Sequence, residues 1–362
     1  MTQANQVKDR TQTTNRSASP IAAVSGAYAA ENSVESFRSD RRHVLDLDDF
    51  SPEEIEGVFQ NADAMSEVLN RQIKKVPTLR GKTVITMFYE ASTRTRVSFE
   101  QAGKILSADV INVSGGGTST EKGESLYNTA LTLQAMNADI IVIRHSHSGA
   151  PYFLARNLDA CIINAGDGTH AHPTQGLLDL YTIRRNLGNI KGRKVVIVGD
   201  VLYSRVARSN LWGLTKMGAN VVLCAPPTLL PLDFLDEQRR TKGHPFANVE
   251  IETNVERALE GADVVMPLRL QMERQKAGHL PTLREYSRMY GINAERLKLA
   301  SPNVLVMHPG PMNEGVEIDH EVAHGSRSVI EEQVTNGVAI RMAILYGIAT
   351  PVRERRYVGS RQ

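Results

Sequence analysis

Residues 92–96, with the sequence Ser-Thr-Arg-Thr-Arg, combine three hydroxyl groups with two guanidinium groups where an apolar strand pattern gives way to a helical one. Unpaired backbone N–H groups and the helix dipole favour an anion at a helix N-terminus. Hydroxyl and guanidinium groups add charge-assisted hydrogen bonds to such an anion. The pentapeptide therefore predicts a phosphate site, although a capped and solvated helix start could have the same residues.

More polar motifs follow in a fixed order along the chain. They are Thr-Ser-Thr-Glu-Lys-Gly-Glu at 118–124, Arg-His at 144–145, His-Pro-Thr-Gln at 172–175, Arg205, Leu-Arg-Leu-Gln at 268–271, and His-Pro-Gly-Pro at 308–311. Together, over about 44–346, they resemble the catalytic chains of the aspartate carbamoyltransferases. Ornithine carbamoyltransferases are expected to carry a cysteine in both His-Pro signatures and an acidic ornithine motif, whereas this chain has neither cysteine and an arginine at 269.

The resemblance implies a reaction in which the carbamoyl group of carbamoyl phosphate passes to the amine of L-aspartate, in pyrimidine biosynthesis. It implies that Thr95, Arg144 and His172 donate to the carbamoyl oxygen and that the Gln175 side-chain carbonyl accepts from the carbamoyl NH₂. The implied carbamoyl phosphate ligands are Ser92, Thr93, Arg94, Thr95, Ser119, Arg144, His172, Gln175, Gly310 and Pro311. The implied catalytic residues are Arg94, Thr95, Lys122, Arg144 and His172.

For the second substrate, the resemblance implies that L-aspartate is bound by Lys122, Arg205, Arg269 and Gln271. Arginine suits this role because its planar guanidinium group can hold a carboxylate through two parallel hydrogen bonds. Two separate cationic positions would favour a dicarboxylate over ornithine, whose side chain is positively charged. The reaction implied needs no covalent intermediate, cofactor or metal.

The glycine-rich segment before residue 118 predicts a loop that orders around an anion. The resemblance implies that Ser119 and Lys122 on this loop enter the active site of a neighbouring subunit. A homotrimer, or a multiple of one, would then share its active sites between chains. Whether Thr118 or Ser119 supplies the hydroxyl stays open.

The composition argues against several other classes of protein. The formal net charge is +2 and charges of both signs are scattered, so neither a nucleic acid nor a membrane surface is predicted as a partner. Cys161 and Cys224 are the only cysteines, which predicts no disulfide framework and favours a reducing cytoplasm. No apolar run approaches the ~20 residues of a membrane helix, and no secretory signal pattern begins the chain.

Alternating strand and helix patterns predict an α/β protein with two open parallel-sheet domains and an active site in the cleft between them. The first series of strands is predicted at 84–89, 109–113, 140–143 and 161–164, and the second at 194–198, 220–224, 249–252, 263–267 and 304–307. We predict a disordered tail over 1–42, a carbamoyl phosphate domain over 43–174, an aspartate domain over 175–330 and a C-terminal tail over 351–362. The helix at 331–350 is expected to complete the first domain.

Some features allow other interpretations. His145 with His147, and His170 with His172 near Asp167, have the form of metal pairs, but the His-Pro-Thr-Gln motif accounts better for His172. The strand at 194–198 lacks the Gly-x-Gly-x-x-Gly sequence of a dinucleotide site.

Three further alternatives concern function. A carbamoyltransferase for another amine, such as ornithine, and a non-catalytic subunit of the same fold are the rival functions. Glu314 stands where many relatives are expected to have an arginine, and its effect on the aspartate site stays open. The N-terminal tail, finally, is either a solvated extension or a contact segment for a regulatory or pathway partner.

Overall fold

The computed structural model describes residues 41–114, 124–235, 244–272, 274 and 282–349. The predicted tails therefore lie almost entirely outside the described residues, but the N-terminal boundary at residue 42 was placed too late. The Arg41 guanidinium pairs with Glu54 at 2.8 Å and stacks 3.8 Å from the centre of the Phe50 ring. Arg42 donates to the carbonyl oxygen of Asp159 at 2.7 Å. These contacts attach both arginines to the folded chain.

The first sheet has four parallel strands in the order β2-β1-β3-β4. Its strands are β1 (Thr83–Phe88), β2 (Asp109–Ser114), β3 (Ile140–His145) and β4 (Cys161–Asp167). The helices that accompany it are α1 (Pro52–Leu69), α2 (Thr93–Ile105), α3 (Leu126–Ala135) and α4 (Ala150–Asn157). Continuous apolar runs form these strands because helices cover both faces of a parallel sheet.

The second sheet has five parallel strands in the order β7-β6-β5-β8-β9. Its strands are β5 (Lys194–Val198), β6 (Asn220–Cys224), β7 (Glu250–Glu252), β8 (Val264–Pro267) and β9 (Leu305–Val306). The long helix α5 (Pro173–Leu187) connects the two sheets, and α6 (Arg205–Lys216) follows β5. Shorter helices complete this half: α7 (Leu232–Leu235), α8 (Val255–Leu259), α9 (Leu283–Tyr290), α10 (Ala294–Leu297) and α11 (His320–Ala323). The predicted fold class, two parallel α/β sheets, is confirmed.

The final helix, α12 (Ile330–Ala349), begins earlier than the apolar pattern at 334–348 predicts, because its first turn contains the acidic residues Glu331 and Glu332. Acidic side chains are stabilised at a helix N-terminus. The helix packs against α1, α2 and α5, so it returns to the elements of the first sheet. Among the described residues, no helix has the length and apolarity needed to cross a bilayer.

Two strands extend further than predicted, and both extensions carry site residues. β3 continues past Ile143 to His145, and β4 continues past Asn164 to Asp167. The pairing of β3 with β4 shifts register between Ile143 and His145. The apolar pattern ends before the strands do, because the last residues of each strand contribute polar side chains at the edge where ligands bind in parallel sheets.

Candidate active site

A cleft of 1120 Å³ lies along the carboxyl ends of strands from both sheets. Most of the residues that the motifs single out line it: Ser92, Thr93, Arg94, Thr95, Arg144, His172, Gln175, Arg205, Arg269, Gln271, Gly310 and Pro311. Ser119 and Lys122 lie outside the described residues. Among the described lining residues there are six arginines and a single acid, Glu90. Such a lining concentrates positive potential and favours anionic ligands.

The phosphate motif occupies the loop from β1 into α2. Ser92 is the N-cap residue of α2, but within the described structure its side chain makes no capping hydrogen bond, so the hydroxyl is not used as the alternative interpretation requires. Thr95 is buried, and Arg94 lines the cleft. Arg96 is exposed and does not line the cleft, because residues two apart on a helix point to opposite sides. Only one of the two motif arginines therefore reaches the site.

The loop of His308, Pro309, Gly310 and Pro311 follows β9 and packs on Arg94. Gly310 has φ +64°, and a Cβ atom added there would overlap the Arg94 guanidinium group. The Gly310 N–H donates to His308 Nδ1 at 2.8 Å, and the His308 N–H donates to Gln333 Oε1 at 2.9 Å. Glycine is required at 310 both for its backbone conformation and for the room it leaves Arg94.

Glu90, which the motifs did not single out, joins three arginines of the cleft. Its carboxylate lies 2.6 Å from Arg144 Nη2, 2.5 Å from Arg205 Nη2 and 3.3 Å from Arg274 Nη2. Although burial opposes ionisation of the carboxyl, hydrogen bonding to Arg205 and the charges of all three arginines hold its pKa below the ordinary value. Glu90 thus ties a loop of the first sheet to two segments of the second.

Arg144 and His172 lie side by side with different protonation behaviour. Burial, reinforced by the charge of Arg205, lowers the pKa of Arg144 to about 9 against the opposing effect of Glu90, so the guanidinium stays cationic at neutral pH. Burial and the charges of Arg144, Arg205 and Arg341 lower the pKa of His172 well below its usual range. The imidazole is therefore neutral, which fits a hydrogen-bond donor and not a cation.

Gln175 is oriented by a buried polar network around Asp179. Gln175 Nε2 donates to Asp179 Oδ1 at 2.9 Å, Gln333 Nε2 donates to the same oxygen at 2.8 Å, and Asn210 Nδ2 donates to Asp179 Oδ2 at 2.8 Å. Burial raises the pKa of Asp179 to about 6 despite these three bonds. The amide NH₂ of Gln175 is committed to the carboxylate, which leaves its carbonyl oxygen to serve the cleft.

Arg269 and Gln271 follow β8 and hold each other. Arg269 Nη2 donates to Gln271 Oε1 at 3.4 Å, and Gln271 Nε2 donates to the carbonyl oxygen of Arg269 at 3.3 Å. The Gln271 N–H donates to the buried carboxylate of Asp200 at 3.0 Å. A carboxylate after β5 therefore fixes the backbone of the segment that carries Arg269.

The remaining histidine motif residues are engaged within their loops. His170 Nδ1 lies 3.2 Å from Asp167 Oδ2, and the His147 N–H donates to His145 Nδ1 at 3.0 Å. Asp167 also accepts from the Gly149 N–H at 2.7 Å. These bonds shape the loops after β3 and β4 and account for the residues without a metal.

Two other sequence-level questions are answered by position. Trp212 packs on Phe246 with ring centres 4.5 Å apart, which agrees with its interpretation as a core residue of α6. Glu314 is exposed and does not line the cleft, so the structure provides no contact through which it would change aspartate binding.

Four charged residues of the site escaped the motif analysis: Glu90, Asp179, Arg274 and Arg341. Glu90 and Arg274 lie two and three residues from motifs that did attract attention, so their spacing was the available signal. Arg341 is buried in α12, in a segment that otherwise has the pattern of a core helix, and Asp179 is buried in α5. A charged residue inside a buried helix pattern is a usable signal, because such a charge needs a partner or a function.

Comparison with known proteins agrees with this geometry. The carbamoyl-P binding domain of aspartate/ornithine carbamoyltransferases matches residues 42–185, and the Asp/Orn binding domain of the same proteins matches residues 191–348. The chain belongs to the aspartate/ornithine carbamoyltransferase family. The resemblance stated from the motifs is thereby confirmed.

Within this family the chain is similar to named catalytic subunits. It is 60% identical over 313 residues to the aspartate carbamoyltransferase catalytic subunit of Roseiflexus sp. (strain RS-1), which covers 86% of this chain and 96% of that protein. It is 58% identical over 310 residues to the corresponding subunit of Chloroflexus aurantiacus, covering 85% and 98% of the two chains.

Solved structures of both branches of the carbamoyltransferase family share the fold. Aspartate transcarbamoylase from Trypanosoma cruzi, in complex with N-(phosphonacetyl)-L-aspartic acid, superposes with a TM-score of 0.76 at 30% identity, covering 84% of this chain and 95% of that one. Ornithine carbamoyltransferase from Pyrococcus furiosus superposes with a TM-score of 0.73 at 29% identity, covering 84% and 96%. The fold alone therefore does not separate the two acceptors, whereas the sequence relatives and the site residues do.

Proposed function

We propose that this protein is an aspartate carbamoyltransferase, which transfers the carbamoyl group of carbamoyl phosphate to the amine of L-aspartate and yields N-carbamoyl-L-aspartate and phosphate. The observation that carries the proposal is that the phosphate motif at 92–95 and the pair Arg269 and Gln271 open into one cleft. The first supplies the ligands of a phosphate, and the second supplies a guanidinium group for a carboxylate. The reaction places the enzyme in pyrimidine biosynthesis.

The first substrate would be held by the elements that the structure brings together around Arg94. Ser92, Arg94, Thr95 and the N-terminal N–H groups of α2 bind the phosphate. Thr95, the cationic Arg144 and the neutral His172 donate to the carbonyl oxygen, which gains negative charge as the amine attacks. Donors fixed before the reaction stabilise this charge without reorganising, and each can contribute about 3 kcal/mol to lowering the barrier.

The chemical step then needs no covalent enzyme intermediate. The aspartate nitrogen forms a bond to the carbamoyl carbon, and the tetrahedral adduct collapses by breaking the bond between that carbon and the phosphate oxygen. The departing phosphate accepts the proton lost by the amine. Arg205, Arg269 and Gln271 would orient the two aspartate carboxylates, and Glu90 would hold Arg205 in place through its pair of hydrogen bonds at 3.1 and 2.5 Å.

Phosphate release assayed with carbamoyl phosphate and a panel of amines tests the function. We expect turnover with L-aspartate and not with L-ornithine, and we expect Arg269→Ala to raise the KM for aspartate at least tenfold while changing the KM for carbamoyl phosphate by less than threefold. Arg257→Ala, which removes an exposed arginine paired only locally with Glu252 at 2.9 Å, is the matched control. Turnover with ornithine, or an unchanged aspartate KM in Arg269→Ala, would contradict the assignment of acceptor or site.

Asp179→Asn tests the role of the network behind Gln175. An asparagine has one acceptor oxygen where the carboxylate has two, so at least one of the three amide donors loses its partner and Gln175 loses its fixed orientation. We expect about a tenfold fall in kcat/KM for carbamoyl phosphate, but less than a twofold change in the inhibition constant of acetyl phosphate, which has a methyl group where carbamoyl phosphate has NH₂.

Asp139→Asn is the control for Asp179→Asn, because Asp139 also accepts from a backbone N–H and a side chain but lies outside the cleft. If Asp179 were only structural, the melting temperature would fall and both phosphates would be affected equally. An equal loss for the two compounds would therefore contradict the positioning role.

The assembly, the domain boundaries and the location of the protein are further parts of the proposal. We infer a homotrimer, or a multiple of one, in which Ser119 and Lys122 complete the site of a neighbouring chain, with a first domain over 43–174 and a second over 175–330. The N-terminal segment 1–42 would contact a regulatory or pathway partner, in the cytoplasm. The support is the family membership, because the described residues form a cleft that contains neither Ser119 nor Lys122.

A further inference from the structure

Three side chains of the second sheet's surface form a cluster that the proposed reaction does not use. The two carboxylate oxygens of Glu314 face two different imidazole rings, with Oε2 lying 2.6 Å from His320 Nδ1 and Oε1 lying 3.2 Å from His324 Nε2. The ring centres of His320 and His324 are 4.5 Å apart. All three side chains are exposed, and none of them lines the cleft.

The backbone positions of the cluster are set by local structure. His320 begins α11, and the His324 N–H donates to the carbonyl oxygen of His320 at 3.1 Å, so the two histidines are four residues apart on one helical turn. Side chains at this spacing share a face of a helix. Opposite them, Glu314 is held in a turn in which the Gly315 N–H donates to the carbonyl oxygen of Ile318 at 2.8 Å. The turn and the helix therefore present their side chains to a common point.

The donor set matches the preferences of transition metals. One ligand atom from each of Glu314, His320 and His324 lies within 4.8 Å of the others. Three atoms bound to Zn²⁺ at about 2.0–2.2 Å in tetrahedral geometry are about 3.5 Å apart, which these side chains reach with small rotations. Imidazole nitrogen is a ligand for Zn²⁺, Ni²⁺, Co²⁺ and Cu²⁺, whereas Mg²⁺ and Ca²⁺ prefer sites made of oxygen.

We propose that Glu314, His320 and His324 form a surface binding site for a divalent transition metal ion, with Zn²⁺ or Ni²⁺ as suitable occupants and water completing the coordination. The same geometry would also serve a pair of ordinary hydrogen bonds between a carboxylate and protonated histidines. Exposed ion pairs of that kind contribute little to stability. The two interpretations differ in whether the cluster binds a metal, and the proposal does not depend on the carbamoyltransferase activity.

Metal titration of the full chain, after chelation and dialysis, tests the site. Co²⁺ is titrated by visible absorbance, since its ligand-field bands report nitrogen and oxygen ligands, and Zn²⁺ is titrated by calorimetry at pH 7.5. We expect one ion per chain at this site with a dissociation constant in the micromolar range or below. We expect the affinity to fall at least tenfold in both His324→Gln and Glu314→Gln.

Two variants serve as controls in the same titrations. Glu321→Gln removes an exposed acid from the same short helix without touching the cluster, and His147→Gln removes a member of the other histidine pair. Both should keep the affinity of the unaltered chain within twofold. Circular dichroism at each step confirms that the exposed substitutions leave the fold intact.

Two outcomes would overturn the proposal. The first is the absence of binding tighter than about 1 mM for Zn²⁺, Ni²⁺ and Co²⁺, in which case the cluster is a set of ion pairs. The second is binding that His147→Gln abolishes and His324→Gln leaves unchanged, which would assign the metal to the cleft.

Discussion

Replacing Arg144 by alanine should lower kcat about 100-fold to 1000-fold while changing the KM of either substrate by less than fivefold. The reason is that Arg144 donates to an oxygen whose negative charge develops in the transition state, so its loss is felt mainly there. The folded structure should tolerate the change, because Glu90 keeps its contacts with Arg205 and Arg274 at 2.5 and 3.3 Å. Steady-state kinetics with both substrates varied measure the effect.

Arg96→Ala is the matched control for Arg144→Ala. Arg96 belongs to the same motif that first indicated an anion site, but it is exposed and does not line the cleft. Its removal should change kcat and both KM values by less than twofold. A fall of less than about fivefold in kcat for Arg144→Ala, or a comparable loss for Arg96→Ala, would mean that the oxyanion donors have been assigned wrongly.

Replacing Gly310 by alanine should lower kcat/KM for carbamoyl phosphate about 100-fold. The added methyl group would occupy space filled by the Arg94 guanidinium, which must then move away from the position where it faces the phosphate. The backbone also bears a cost of about 1 kcal/mol or more, because φ at this position is +64° and a side chain disfavours that conformation. Initial rates at varied carbamoyl phosphate concentration measure the loss.

The control for Gly310→Ala is Gly315→Ala, five residues along the same loop. Gly315 also has a positive φ, +80°, but an added Cβ atom would meet nothing within 4 Å. Both variants should lose a similar amount of thermal stability, and only Gly310→Ala should lose activity. Equal activity in the two variants would show that the contact between Gly310 and Arg94 does not matter for catalysis.

The sequence by itself determined the class of fold and much of the chemistry. Local rules suffice for the elements: Ser51 caps α1 through a capping box with Glu54, as the residues at the start of that helix predict. Continuous apolar runs at 140–143 and 194–198 predict the buried parallel strands because helices must cover both faces of such a sheet. The phosphate motif is also local, since consecutive residues at one helix start supply its donors.

Only the tertiary structure decided which charges meet in the cleft. Glu90 and Arg205 are far apart in sequence, and no local pattern states that the carboxylate would hold that arginine at 2.5 Å. Periodicity reports whether a residue faces a core, but it does not report which side chain lies opposite. The pairing follows from how two sheets, each stable through its own apolar contacts, place their loop ends against one another.

The same distinction separates Arg94 from Arg96 and explains the burial of Asp179. The composition of the motif makes its two arginines equivalent, whereas the direction of α2 brings Arg94 to the cleft and leaves Arg96 exposed. Asp179 occupies a helix that the sequence marks as buried, and only the approach of Asn210 and Gln333 from other elements supplies its hydrogen bonds. The sequence determined local conformation and donor types, while long-range packing decided their partners, because an ion pair depends on distances that the chain sets only when it is folded.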